Sequence, residues 1–160
     1  MIKTLQFIII FVISPVIGST NSEIPKEFKF NQSTQQAFYF IKKASIVNDA
    51  LDSNDWIGAF KDTVCIGSRK WDINKCNGIC EIPIMGNDGS IYSKGYLDKD
   101  EFPKFMIYDF SEKNYFHAKV SQNFPFKNMG MYIIDSLFIE LDCKKVFGGS
   151  AKVDECGVCN

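Results

Sequence analysis

Few side chains of this sequence have the types and spacings that chemistry requires. His117 is the only histidine. A lone imidazole lacks the partners of a catalytic triad or a zinc site. In "NYFHAKV" its parity is opposite to Phe116, Ala118 and Val120, which predicts an exposed position on a strand. Carboxylates gather at Asp49, Asp52 and Asp55, at Asp98, Asp100 and Glu101, and at Asp154 and Glu155. Calcium favours oxygen clusters, so Asp98, Asp100 and Glu101 are candidate metal ligands. No cluster has the spacing of an EF-hand loop, and turn solvation is the plainer role. Nothing matches a nucleophile elbow, a zinc-protease helix or a phosphate loop. The expectation is a protein that is not an enzyme and needs no cofactor, with calcium as the one ion to consider.

The six cysteines offer a different chemistry. Cys65, Cys76 and Cys80 form one group, and Cys143, Cys156 and Cys159 another. An even number in a secreted chain reads as disulfides. Three per group is odd, so either one bond joins the groups or each leaves a thiol that pairs outside the chain. "CNGIC" closes a small loop or bonds back to Cys65. The expected bond is Cys65 to Cys76 or Cys80. "CGVC" has redox spacing but no βαβ context, so a redox motif is not expected.

"DSNDWIGAFKDTVCIGSRKW" (52–71) holds both tryptophans and the only arginine. It reads as a hairpin: "WIGAF" and "VCIGS" flank a three-residue loop, "KDT". Setting Phe60 opposite Val64 places Gly58 opposite Ile66 and Ile57 opposite Gly67. A glycine across from a β-branched residue lets another segment pack closely on the ribbon. Trp56 shares a face with Phe60 and is the expected core tryptophan. Trp71 lies among polar neighbours and is the expected exposed ring. With Arg69 and Tyr92 it would form a stacking platform for a sugar.

The elements that must position these residues read as strands. "EFKFN" alternates; "QQAFYFIKKASIV" is aromatic and β-branched; "PKFMIYDF" and "NYFHAKV" form a second hairpin across "SEK". "GMYIIDSLFIEL" puts Met131, Ile133, Leu137, Ile139 and Leu141 on one face, interrupted by Asp135 at a bulge. Turn signals recur between the segments. The fold class is therefore all-β: an antiparallel β-sandwich, Ig-like or jelly-roll-like, over 21–142. A short, irregular, disulfide-rich tail follows at 143–160.

Residues 1–20 read as a signal peptide. Lys3 precedes the apolar run "LQFIIIFVISPVIG", and cleavage is expected after Gly18 or slightly later. The run is shorter than a membrane-spanning helix needs. The chain has 18 basic and 19 acidic residues, and removal of 1–20 takes one lysine and no acid, leaving a net charge of −2. Such a surface excludes nucleic acid and anionic membranes as partners. No membrane span remains after cleavage. The expected location is secreted or cell-surface. Asn31, in "NQS", is a glycosylation acceptor if the secretory pathway is eukaryotic.

"FNQSTQQAFYFI", "DWIGAF", "VCIGSRKWD", "CNGICEIPIMGNDG" and "GYLDKDEFPKFMIYD" together resemble a recurrent module of large secreted bacterial proteins. The likeness runs from about Phe30 to about Leu137. The tail "DCKKVFGGSAKVDECGVCN" resembles short Cys–Gly–Asp repeats loosely of the thrombospondin type-3 kind, with one cysteine fewer. The resemblance implies a non-catalytic piece of a longer multidomain chain. The expected function is an extracellular module for adhesion, assembly or surface display, whose partner is a glycan or a protein surface. A carbohydrate-binding module using exposed aromatics is the alternative, and a calcium-stabilised structural module the third reading.

Overall fold

The computed structural model describes residues 23–160, so the expected signal segment lies outside the described residues. Ten strands follow in chain order: β1 (Gln36–Ile41), β2 (Ala44–Ile46), β3 (Asp49–Ala50), β4 (Trp56–Lys61), β5 (Val64–Lys70), β6 (Cys80–Met85), β7 (Lys104–Asp109), β8 (Asn114–Val120), β9 (Met131–Ile134) and β10 (Leu137–Ile139). They form a three-stranded sheet, β6-β1-β9, packed on a seven-stranded sheet, β3-β2-β10-β8-β7-β4-β5. The fold is the expected all-β sandwich. Both sheets are mixed, because β1 runs parallel to β9 and β10 parallel to β2.

Period-two burial builds the core. Ala37, Tyr39 and Ile41 of β1 point inward with Cys80, Ile82 and Ile84 of β6. Ile57, Ala59, Phe105, Ile107, Leu137 and Ile139 meet them from the larger sheet. A second cluster lies on that sheet's other face. There Phe28, Phe60 and Cys65 are buried, with Trp56, Met106, Tyr108 and Tyr115 packed beside them. This cluster corrects one expectation. "EFKFN" is no strand: Lys26–Phe28 is a 3₁₀ turn. It delivers Phe28 onto the sheet, where the ring stands edge-on to Phe60 and Tyr115 at 5.6 and 5.5 Å.

"GMYIIDSLFIEL" is not one strand with one apolar face. β9 belongs to the small sheet and β10 to the large one. The chain crosses between them at Asp135–Ser136, and β1–β2 crosses beside it at Lys42–Lys43. The two crossings are stitched together. Lys42 N donates to Ile134 O at 3.1 Å, Leu137 N to Lys43 O at 2.9 Å, and Lys42 Nζ pairs with Asp135 at 2.7 Å. The crossing reverses the buried parity, so Ile134, Leu137 and Ile139 are buried whereas Met131, Ile133 and Leu141 are exposed.

The β4–β5 hairpin forms in a different register. Lys61 opposes Val64 and Asp62–Thr63 is the loop, with Asp62 at φ 51, a left-handed conformation that Asp tolerates. A bulge follows: Phe60 opposes Cys65 but Ala59 opposes Gly67. The extra residue sends Cys65 to the Phe28 cluster while Trp71 enters the main core. The expected Cys65 bond is therefore not made, since Cys80 points into the main core from the other face. Cys76 bonds Cys80, Cys143 bonds Cys159, and Cys65 and Cys156 are free thiols.

Cys65 is buried and Cys156 exposed, and burial pushes the Cys65 thiol up to about 11. Iodoacetamide should modify Cys156 alone on the native protein, and Cys65 as well only after denaturation. Mass spectrometry that finds Cys65 alkylated in native protein would contradict its placement.

The tail packs back on β8. The Phe147 and Phe116 rings lie 5.6 Å apart. Two loops twelve residues apart are built alike. Asp142 Oδ1 accepts from Lys144 N (2.9 Å) and Val146 N (2.8 Å), and Asp154 Oδ1 from Cys156 N (3.0 Å) and Val158 N (2.8 Å). The second carboxylate oxygens accept from Ala151 N and Asn160 Nδ2. These bonds hold the Asp142 carboxyl below its ordinary range, the bond from Val146 foremost. Each carboxylate is already coordinated by the protein. Calcium in millimolar excess, or its chelation, should therefore leave the thermal midpoint unchanged. A calcium site filled at a hundredfold excess over Kd would add about 2.7 kcal/mol and raise it visibly.

Candidate binding face

The expected binding residues do not meet. Trp71 is 4% exposed and belongs to the main core. Its backbone N donates to Asp55 O at 2.8 Å, which draws the end of β5 inward. It lines a groove of about 590 Å³ together with Leu51, Ile73 and Phe138. Tyr92 is 65% exposed, on the 3₁₀ turn Ile91–Ser93. Its carbonyl accepts from Asn31 Nδ2 at 3.3 Å, which leaves Asn31 of the "NQS" triplet on the surface beside it. Arg69 stands apart from both, paired to Glu81 at 2.5 Å. His117 is exposed on β8, where its parity placed it.

The candidate metal ligands are arranged around a lysine. Lys61 Nζ lies 2.5 Å from Glu101 Oε2 and 3.6 Å from Asp98 Oδ2. Glu101 also accepts from Asp98 N at 2.7 Å. The Lys61 hydrogen bond holds the Glu101 carboxyl below its ordinary range. The ammonium thus sits where a cation would, and these two acids serve to tie β4 to the 98–101 turn. Asp100 takes φ 69 in that turn. Among the described residues no three His, Cys, Asp or Glu side chains converge on a metal position. Asp49, Asp52 and Asp55 line a groove of about 810 Å³ with Asp109 and Glu112. Asp55 there accepts from Asp52 N and Phe110 N at 2.9 and 3.0 Å, as turn-forming acids do. Burial pushes its carboxyl up.

What the tertiary arrangement creates instead is a face. The small sheet buries one side in the core, and among the described residues nothing covers the other. Register aligns two rows across it: Pro83, Phe38 and Met131, then Glu81, Phe40 and Ile133. Phe38, Phe40 and Pro83 are half-buried, whereas Met131 is 70% and Ile133 56% exposed. Sheet faces with this many large apolar groups are normally covered. At the β6 end the face continues over the seam with β5 into a groove of about 460 Å³. Its walls are Phe38, Pro83 and the half-buried Trp56, and its polar groups are the Arg69–Glu81 and Lys75–Asp72 pairs.

Sequence reasoning grouped Arg69 with Trp71 and Tyr92 and exchanged the tryptophans, because it set β4 and β5 in register without the bulge at Ile66–Gly67. Phe38, Phe40, Met131 and Ile133 went unremarked as a face because they lie on strands some ninety residues apart that pair only in the fold. Comparison with known proteins adds no relative: no family model, no curated protein and no solved structure matches the chain.

Proposed function

We propose that this chain is a secreted, non-catalytic module for adhesion or assembly, which engages a protein surface through the outer face of the three-stranded sheet. The observation that carries the reading is the pair of uncovered apolar rows, Pro83–Phe38–Met131 and Phe40–Ile133. Fully burying a Phe, Ile or Met side chain is worth about 1.5–3 kcal/mol, so several of them can hold a partner without any pocket. The apolar leader at 1–20 and the two disulfides agree with an extracellular life. The test is attachment of beads coated with the chain to the producing cells. Phe40→Asp should abolish attachment while the far-UV spectrum and thermal midpoint stay close to those of the parent. Undiminished attachment by Phe40→Asp would remove the face from the mechanism.

The groove between β5 and β6 favours a second reading, a glycan ligand. An indole flank beside paired guanidinium and carboxylate groups suits a hexose, whose ring stacks while its hydroxyls bridge the charges. A glycan array probed with the parent and with Trp56→Ala distinguishes the readings: sugar binding lost in Trp56→Ala supports this one, and an empty array opposes it.

A further inference from the structure

The two sheets have four edges, and three are protected. β5 and β6 close against each other at the seam, where Gly67 lies against the Pro83 carbonyl. β3 is two residues long and carries Asp49, and short, charged edges resist pairing. β9 is the exception. Gly130 O and Ile134 O accept from Phe38 N and Lys42 N of β1, at 2.8 and 3.1 Å. Alternation along the parallel ladder then turns the N–H and C=O groups of Met131 and Ile133 outward, away from β1. The chain does cap the next outward amide: Asp135 N donates to Gln122 Oε1 at 3.2 Å. Met131 and Ile133 have no such cap among the described residues. Neither proline nor lysine interrupts β9, and both outward residues carry exposed apolar side chains.

We propose that β9 of a second copy of this chain pairs antiparallel with this edge. The pairing would be centred on Tyr132 and would join two small sheets into one of six strands. The strand is self-complementary in this arrangement. Met131 of each copy opposes Ile133 of the other, and the two residues exchange both hydrogen bonds at each such pair. The ends agree as well. Exposed Lys127 precedes β9 and Asp135, itself paired with Lys42, follows it, so antiparallel pairing sets the end that carries Lys127 towards the end that carries the Lys42–Asp135 pair, whereas a parallel pairing would set Lys127 beside Lys127. The contact is isologous and closes after two copies. It also brings the two apolar faces side by side, so the inference rests on the assembly reading and names its geometry. A four-residue strand makes a small interface, so the dimer should be weak and concentration-dependent.

The test is sedimentation velocity over a concentration series, with Ile133→Pro and Met131→Lys. Proline removes one outward N–H and leaves the β1 ladder intact; lysine replaces the apolar partner of Ile133 in the other copy with a charge on the edge. The parent should dimerise reversibly, and each variant should dimerise at least about tenfold more weakly, the loss of about 1.4 kcal/mol. If Ile133→Pro fails to fold, Met131→Lys decides. A parent that stays monomeric at hundreds of micromolar overturns the proposal, and so do variants that dimerise as tightly as the parent. Bead attachment to cells that persists with a monomeric parent sinks the second copy as occupant and leaves the proposed function standing.

Discussion

Trp71→Ala should lower the unfolding free energy by about 3–5 kcal/mol, the range for truncating a large buried aromatic. Trp56→Ala should cost clearly less. The expectation follows from burial on two faces. Trp71 is 4% exposed within the main cluster, and its backbone is fixed to Asp55. Truncation leaves a void next to the groove under Leu51 and Phe138, and the paired strands around it cannot close over the space. Trp56 is half-buried at the margin of the Phe28 cluster, where its neighbours can relax. Chemical denaturation of the two single mutants at neutral pH settles the order. An equal loss in both would mean that the second cluster is as tight as the first. A larger loss at Trp56 would place the centre of the fold on the wrong side of β4.

The exchange of the tryptophans shows how far this sequence can be read. The aromatic and β-branched content of "QQAFYFIKKASIV" located β1 as a strand, but its nearly contiguous aromatics did not tell its faces apart. The β7–β8 hairpin was legible for the same reason and pairs from Phe105–Ala118 to Asp109–Asn114. The β4–β5 hairpin was legible as a hairpin but not in register. One extra residue at Ile66 flips every side chain beyond it, and a glycine within an apolar run hints at a bulge without saying which residue is the extra one. β9–β10 failed for a related reason. Period two runs through "GMYIIDSLFIEL", yet the chain changes sheets at Asp135, and the partner of that crossing, Lys42–Lys43, is about ninety residues away.

The candidate face inherits this limit. A face assembled from three strands can be seen only once β9 is known to lie beside β1 and not beside β10. The same holds for the acids at 98–101. Their spacing reads as a cation site, but the cation that fills it is Lys61, contributed by a strand forty residues earlier.

Gly67→Ala should be the most damaging change of a single methyl in the molecule. A Cβ built on Gly67 would lie 2.0 Å from the Pro83 carbonyl oxygen and 3.3 Å from Ile84 Cα. Those are backbone atoms of β6, so relief requires β5 and β6 to separate. Gly58 makes a useful contrast. Its Cβ would meet the Phe60 ring at 2.8 Å and the Phe28 ring at 3.0 Å, and rings can turn. Overpacking costs about 1–3 kcal/mol in general. Gly67→Ala should reach or exceed the top of that range, and Gly58→Ala should fall within it. The seam also positions the Arg69–Glu81 pair and the β6 border of the apolar face. Opening it should therefore weaken bead attachment at temperatures where the variant is still folded, which Gly58→Ala should not do. Paired urea denaturation and attachment assays of the two variants provide the measurement. If Gly67→Ala costs no more than Gly58→Ala, the two sheets do not meet as closely at this seam as the backbone contact requires, and the face loses the edge that holds it in shape.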